Sequence, residues 1–240
     1  MRYRHLEKAV FLERKNRFVA EVELNGSPMA VHVPNTGRCR ELFVPGAAAY
    51  VQRSENTARK YPYTLCAVEK GGMLVHIDSA GANRLAEEVL QSGALRGLED
   101  ISAVEREKTF SKSRFDFRFQ KGKQTCFMEV KGVTLEENGV AMFPDAPTER
   151  GARHLAELIK AKEEGYGAYA LFVVQMKGPR LFRPHVERDP AFARNLVLAA
   201  KAGVIVMAYD TDVTVDEIRL SSEIPVLLQE EEDLKANANH

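Results

Sequence analysis

The sequence contains no tryptophan, no long apolar run and only three cysteines, and two of these shortages exclude whole classes of protein. No apolar run approaches the ~18 residues that a membrane-spanning helix requires, so we expect no membrane partner. The N-terminal segment lacks the apolar stretch of a secretory signal. Cys39, Cys66 and Cys126 are odd in number and widely spaced. This argues against a zinc site or a disulfide framework and favours a reducing cytoplasm.

The chain also lacks the glycine motifs of P-loop and Rossmann proteins and the GxSxG motif of serine hydrolases. Its formal net charge is zero, so overall charge gives no support for nucleic-acid binding. The charge is unevenly distributed, however: residues 1–80 hold 12 basic and 8 acidic residues, and residues 106–123 hold seven basic and two acidic ones. Such basic patches are compatible with nucleic-acid contact, and ordinary surface charge is the alternative.

The first 80 residues have the pattern of an all-β unit. Six short runs rich in Val, Phe, Leu or Tyr are separated by turn residues, among them Asn25-Gly26 and Gly71-Gly72. Strands at this close spacing predict a small barrel, and its size fits an OB-fold, which often binds single strands or oligonucleotides. The predicted strands are Lys8–Arg14, Arg17–Leu24, Met29–Val33, Ala47–Gln52, Thr64–Glu69 and Met73–Ile77.

Residues 81–228 predict a second, mixed α/β domain, because helical patterns alternate with apolar strand patterns. We expect a helix over Ala82–Ser92 with Asn83 as its N-cap, a second from the N-cap Thr148 to about Glu164, and a third that opens at Asp189-Pro190. The acidic end, 229–240, is expected to be a disordered tail. The predicted strands are Val104–Lys108, Ser113–Gln120, Thr125–Val130, Tyr169–Gln175 and Val204–Tyr209.

The candidate chemistry lies in two of these strands. Phenylalanines at positions 115, 117 and 119 alternate with Asp116, which predicts that the rings face the core and Asp116 faces the other side. Glu129 and Lys131 share one face of the next strand. Two carboxylates and an ammonium on neighbouring strands can hold Mg2+ or Mn2+ against a phosphodiester, where the cation acidifies water and Lys131 neutralises charge. A solvated strand face is the alternative.

Two loops of the barrel carry further candidates for nucleic-acid contact. Arg14, Lys15 and Arg17 form a predicted basic hairpin tip next to a phenylalanine. Asn35 and Arg38 lie in a polar segment that is rich in turn-forming residues, where Arg38 could contact a phosphate or a base. Ordinary surface and turn roles are the alternatives for all five.

The second domain adds four more candidates. Arg150 and His154 lie four residues apart on the second helix, so they share a face and could both reach a phosphate. Arg114 alternates with the phenylalanines and is a further basic candidate. Asp145 is either a turn residue or an additional metal ligand.

Four stretches together resemble the sugar fermentation stimulation protein A (SfsA) family: HVPNTGR at 32–38, SRFDF at 113–117, EVKGVTL at 129–135 and MFPDAPTERG at 142–151. They are spread over most of the chain, so their combination is more specific than any one motif. The resemblance implies an OB-like domain at 1–80 and a domain like the PD-(D/E)xK nucleases at 81–228. It also implies DNA binding, a role in regulating sugar (maltose) utilisation genes, Asp116 and Glu129 as metal ligands, and Lys131 as the catalytic lysine.

These observations lead to one hypothesis and one main alternative. The hypothesis is a cytoplasmic DNA-binding protein with a metal-dependent phosphodiesterase site that takes Mg2+ or Mn2+. The alternative is a non-catalytic DNA-binding regulator on a nuclease scaffold. Whether the protein cleaves or only binds, and whether it forms a homo-oligomer, stays open at this point. A sugar-binding protein is a third reading, which rests on the family name alone.

Overall fold

A computed structural model describes residues 1–56 and 58–228, and the acidic end at 229–240 lies outside the described residues. The N-terminal part is a sheet with the strand order β3-β2-β1-β4-β5-β6, and a parallel bridge between His32 and Thr64 joins β3 to β5. This bridge closes five strands into a barrel, which confirms the predicted OB-like fold. The strands are β1 (Leu6–Asn16), β2 (Val19–Leu24), β3 (Ser27–His32), β4 (Ala48–Arg53), β5 (Tyr63–Lys70) and β6 (Met73–His76).

Glycine-containing turns set two hairpins of this barrel. Asn25 and Gly26 connect β2 to β3 in a two-residue loop, and both have positive φ, 53° and 77°. Asn-Gly is the favoured sequence for such a loop because both residues tolerate the left-handed backbone. Gly71 and Gly72 connect β5 to β6 in the same manner.

The second part is a mixed α/β domain, as predicted. Its main sheet has the order β15-β14-β12-β9-β8-β7, with β9, β12 and β14 parallel to one another and antiparallel strands at the edges. A smaller sheet has the order β10-β11-β13. The elements are α1 (Ser79–Ser92), β7 (Ile101–Phe110), β8 (Ser113–Lys121), β9 (Gln124–Val133), β10 (Leu135–Glu137), β11 (Val140–Phe143), α2 (Glu149–Glu163), β12 (Gly167–Val174), β13 (Leu181–Pro184), α3 (Pro190–Lys201), β14 (Ile205–Val213) and β15 (Ile218–Ile224).

The helix starts agree with the sequence at two of three places. Thr148 and Asp189 cap α2 and α3 as predicted. The prediction for α1 was wrong: Asp78 is its N-cap and accepts the N–H of Ala80, while Asn83 lies inside the helix. Asp78 lies five residues before the predicted cap, and Asp and Asn are nearly equivalent in this role, so the residue type of Asn83 did not by itself fix the first turn.

The three phenylalanines of β8 are all buried, but they do not share one core. Phe117 and Phe119 lie in the cluster that contains Leu85 of α1. Phe115 lies in the other cluster and packs against Phe127 at a ring-centroid distance of 5.5 Å. The predicted burial of all three rings is therefore confirmed, but Phe115 does not pack with the other two, as regular alternation would require. Because helices cover both faces of this sheet, either face gives a phenylalanine full burial.

The barrel and the α/β domain share one continuous core. The larger hydrophobic cluster contains Phe11 of the barrel and Phe172 of β12. A bridge pairs Val75 with Met176, and the N–H of His76 donates to the carbonyl of Gln175 at 2.9 Å. The three cysteines are free and buried, as expected without a disulfide framework. Among the described residues, none of the helices has both the length and the apolar character needed to cross a membrane.

Candidate metal and phosphodiester site

Asp116, Glu129 and Lys131 lie at the floor of one cleft with a volume of about 490 Å³. Regular pairing between β8 and β9 ends at Phe117 and Met128. One residue further on, the Asp116 carboxylate, rather than a strand carbonyl, accepts the N–H of Val130 at 2.8 Å. The strand ends therefore bring together the three side chains that the sequence singled out.

The first carboxylate is held from the side of α1. Asn83 Nδ2 donates to Asp116 Oδ1 at 2.8 Å, so the residue expected to cap the helix supports the site instead. Burial, together with the negative charge of Glu129, raises the pKa of Asp116 above its ordinary value. The hydrogen bond from Val130 and the charge of Lys131 oppose this rise without cancelling it. Asp116 is therefore a carboxylate whose charge lacks full compensation.

The second carboxylate is held from the side of α2. Glu129 is buried, and its Oε1 is bonded by both Lys131 Nζ and His154 Nδ1. Burial favours the neutral form, but the His154 hydrogen bond and the Lys131 charge outweigh it, so the pKa of Glu129 is lowered. Its other oxygen, Oε2, is buried without a hydrogen-bond partner. An orphaned carboxylate oxygen at this position is a free ligand atom.

His154 is buried behind Glu129 and is not exposed to solvent in the cleft. Arg150 Nε donates to His154 Nε2 at 3.4 Å, so this network assigns the ring proton to Nδ1, which donates to Glu129. Phe115 packs edge-on against the imidazole at 6.3 Å. Arg150 itself is exposed and lines the cleft. The two predicted residues are in contact but have different surroundings: Arg150 lines the cleft, and His154 orients Glu129.

The donor set suits a hard divalent cation. The structure gathers no group of three or more His, Cys, Asp or Glu side chains able to hold a metal in the ranges 1–56 and 58–228. Mg2+, however, is commonly held by one or two carboxylates, with water and substrate phosphates as its other ligands. Asp116 and the free Oε2 of Glu129 provide such a pair. The residues therefore fit the predicted cation.

The barrel supplies the opposite wall of the cleft through the segment Asn35–Gly37. Asn35 Oδ1 accepts the N–H of Gly37 at 2.7 Å, and its Nδ2 donates to the carbonyl of Ile77 at 2.9 Å. Asp145 Oδ2 accepts the N–H of Cys39 at 3.1 Å, so Asp145 ties this segment to the second domain. Asp145 lines the cleft as well, but its observed contacts are those of a link between domains.

The predicted basic residues occupy different environments. The guanidinium of Arg14 turns inward and donates to the carbonyls of Asn35 at 2.7 Å and Arg38 at 2.9 Å, and to those of Asn16, Arg17 and Gly37. Burial lowers its pKa below the ordinary arginine value.

Four of these basic side chains are exposed. Arg17, in the turn between β1 and β2, lines the cleft, and Arg38, in the loop between β3 and β4, lines an adjoining groove. Lys15 pairs with Glu13 and with Glu21. Arg114 pairs with Glu107 at 2.7 Å.

Sequence reasoning missed two residues at the cleft. Asn83 was interpreted only as a cap, although its side chain holds Asp116. Gln175 directly follows the buried strand β12, donates to the carbonyl of Asp78 at 2.9 Å, and lines the cleft. A polar residue at the end of an all-apolar run was the available signal for Gln175.

The fold and site together define a class: an OB-type barrel joined to a mixed α/β domain, with a cleft that holds two carboxylates and a lysine. The family model described as the SfsA N-terminal OB domain matches residues 12–77, and the one described as the sugar fermentation stimulation protein RE domain matches residues 80–217. The chain belongs to the sugar fermentation stimulation protein family.

Similar proteins agree along nearly the whole length. The sugar fermentation stimulation protein homolog of Desulfitobacterium hafniense (strain DSM 10664 / DCB-2) is 45% identical, over 96% of this chain and 100% of that protein. The homolog of Clostridium perfringens is 46% identical, over 93% of this chain and 97% of that one. A solved structure described as Pyrococcus furiosus SfsA in complex with Ca2+ is 30% identical. It has a TM-score of 0.87 and covers 95% of this chain and 98% of that chain.

Proposed function

We propose that this protein binds DNA and hydrolyses phosphodiester bonds with the help of Mg2+ or Mn2+. The observation that carries the proposal is the convergence of Asp116, Glu129 and Lys131 at one cleft, where a loop of the OB-type barrel forms the opposite wall. The relative from Pyrococcus furiosus, described in complex with Ca2+, supports a cation here, because Ca2+ also takes oxygen ligands.

Each residue has a separate task in this proposal. Asp116 and Glu129 would hold the cation, which when bound acidifies water and stabilises negative charge on phosphate oxygens. With the cation bound, the contact between Lys131 and Glu129 would weaken. The ammonium of Lys131 would then lie against the phosphate, where negative charge develops in the transition state. His154 keeps Glu129 oriented through its Nδ1–H. Arg150, which is exposed and lines the cleft, would bind the nucleic-acid backbone.

The test is a cleavage assay on single-stranded DNA, duplex DNA and RNA–DNA hybrids with Mg2+ or Mn2+. We expect Asp116→Asn and Lys131→Met each to lower the rate by about 100-fold or more, the range for loss of a charge-stabilising group. Lys123→Met, at an exposed position in the turn between β8 and β9, is the matched control and should leave the rate unchanged. If Asp116→Asn and Lys131→Met cleaved as fast as wild type and as Lys123→Met, these residues would have no part in the cleavage.

One observation favours the second candidate, a DNA-binding regulator without catalysis. Lys131 neutralises Glu129 in the structure, so the site is electrostatically satisfied in part without a cation. A regulator of sugar (maltose) utilisation genes would bind DNA equally well with or without a chelator. Binding that EDTA leaves unchanged, together with no cleavage of any of the three substrates, would select this candidate.

A further inference from the structure

We propose, on the basis of the function proposed above, that the nucleic acid at this site is a single strand. The strand would run along a groove on the barrel and enter the cleft at Thr36. Intact double helix would be excluded from the floor of the cleft. The inference depends on the walls of the cleft and on the chemistry of the groove that adjoins it.

The walls of the cleft are fastened to each other across the domain junction. Asp145 accepts the N–H of Cys39 at 3.1 Å, and Gly37 lies so close that an added Cβ would be 2.5 Å from Asp145 Oδ2. On the other side, Ser79 Oγ donates to the carbonyl of Pro34 at 2.7 Å, which ties the barrel loop to the start of α1. The barrel loop is therefore anchored to the second domain at both of its ends.

The loop is also held from within the barrel. Arg14 donates to the carbonyls of Asn35, Gly37 and Arg38 and lies over the ring of Phe43 at 4.9 Å. The cleft volume of about 490 Å³ lies in the range of small-ligand pockets, roughly 300–1,000 Å³, so the space beside Asp116 is the size of a small ligand. A double helix could reach Asp116 only if this fastened loop moved away.

A second groove continues from the cleft onto the barrel. It shares Arg17, Thr36 and Gly37 with the cleft and extends to Arg38 and Arg40. The guanidinium groups of Arg38 and Arg40 are exposed, and no acidic side chain within 1–56 or 58–228 pairs with either of them. Unneutralised arginines in a row are suited to successive phosphates of a nucleic-acid backbone.

An exposed aromatic ring lies next to one of the arginines that line this groove. Phe18 is 50% exposed and lies 5.7 Å from the guanidinium of Arg17. An exposed phenylalanine is poorly explained by the packing of the barrel, whereas an unpaired base can stack on it. Basic side chains combined with an exposed aromatic ring are the pattern of single-strand binding, because bases inside a duplex have no free face.

The experiment measures binding without catalysis, by fluorescence anisotropy in EDTA. The probes are labelled (dT)15, a blunt 15-bp duplex, and the same duplex with a single-stranded tail. We expect (dT)15 and the tailed duplex to bind at least about 10-fold more tightly than the blunt duplex. Equal affinity for the blunt duplex would overturn the single-strand inference and leave the proposed function intact. No binding to any probe, either in EDTA or with Ca2+ in its place, would overturn both.

Substitutions locate the strand. Arg38→Ala and Arg40→Ala should each weaken (dT)15 binding and reduce the slope of log affinity against log salt by about 0.7. Phe18→Ala should weaken binding by about 5- to 100-fold with no change in that slope. Arg194→Ala, an exposed arginine of α3 that lines neither the cleft nor the groove, is the control. Asp145→Ala removes one of the contacts that hold the barrel loop. We expect this variant to show a smaller ratio of (dT)15 affinity to blunt-duplex affinity than wild type. Arginine variants indistinguishable from the control would contradict the proposed path.

Discussion

The two carboxylates of the site differ in how their charge is compensated. Glu129 is bonded by His154 and Lys131, and its pKa is lowered despite burial. Asp116 receives only neutral donors, and burial and the charge of Glu129 raise its pKa. Without a cation, the charge of Glu129 is therefore compensated through its Oε1, whereas the charge of Asp116 carries an electrostatic cost. A divalent cation would relieve that cost, which is a physical reason for placing it next to Asp116.

This difference predicts that Asp116→Asn stabilises the metal-free protein. The amide can still accept from Val130 and donate to Asn83, whose own amide turns over. A raised pKa means that the folded state binds a proton more readily than the unfolded state, so wild-type stability falls as the pH rises above ~4. We expect the variant to gain about 0.5–2 kcal/mol in free energy of unfolding at pH 7, shrinking towards pH 4.

Urea denaturation at both pH values, without divalent cations, measures this gain. Asp212→Asn is the control, because the hydrogen bond from Lys177 lowers the pKa of Asp212. Removing the charge of Asp212 should therefore not raise the free energy of unfolding. An Asp116→Asn variant no more stable than wild type at pH 7 would show that the charge of Asp116 is already compensated.

At the scale of elements, local signals predicted some segments well and others not at all. Thr148 and Asp189 mark the starts of α2 and α3 in the sequence, because an N-cap bonds to the first turn of its own helix and so depends only on nearby residues. The strands β10, β11 and β13 were missed, because β11 pairs with β13 about 40 residues away and neither has a local pattern of its own. The same limit applies to side chains. The sequence predicts Arg14 as part of a basic hairpin tip, whereas in the folded protein its guanidinium turns inward and binds the carbonyl of Asn35.

The candidate site shows the same division. Its floor was predictable, because Asp116 lies on the strand that precedes and pairs with the strand of Glu129 and Lys131. The residues that hold the two carboxylates were not predictable in that role, because Asn83 and His154 lie on two helices that pack on opposite faces of the sheet. Which face each helix covers is settled by the whole core, and no short segment carries that information.

The strand β9 depends on a glycine next to the site. A Cβ at Gly132 would overlap Gln175 Oε1 and lie 3.3 Å from Ala82 Cβ, so the strand has no room for a side chain here. We expect Gly132→Ala to cost about 1–3 kcal/mol in free energy of unfolding and to displace Lys131, the preceding residue. A double-mutant cycle with Gln175→Ala measures the cause, since removing the amide should recover part of the loss. Additive losses would mean that the overlap is relieved elsewhere.

At the scale of the whole molecule, the barrel and the α/β domain are joined by more than a linker. The parallel strand β12 ends at the barrel: Gln175 accepts from His76, and Met176 pairs with Val75. Lys70 of β5 pairs with Glu136 of β10 at 2.9 Å. Domains that share a core in this way lose buried apolar area in both when either one opens, which couples their stabilities.

We therefore predict that the two domains unfold together, although a chain of this length commonly unfolds in steps. The buried cysteines are natural reporters, since Cys39 and Cys66 lie in the barrel and Cys126 lies in β9. Pulsed maleimide labelling across a urea series, read by mass spectrometry, should give one midpoint for all three thiols. Met176→Ala removes side-chain packing at the junction and should separate the midpoints. Barrel thiols that react at lower urea in the wild type would show that the shared core does not couple the domains.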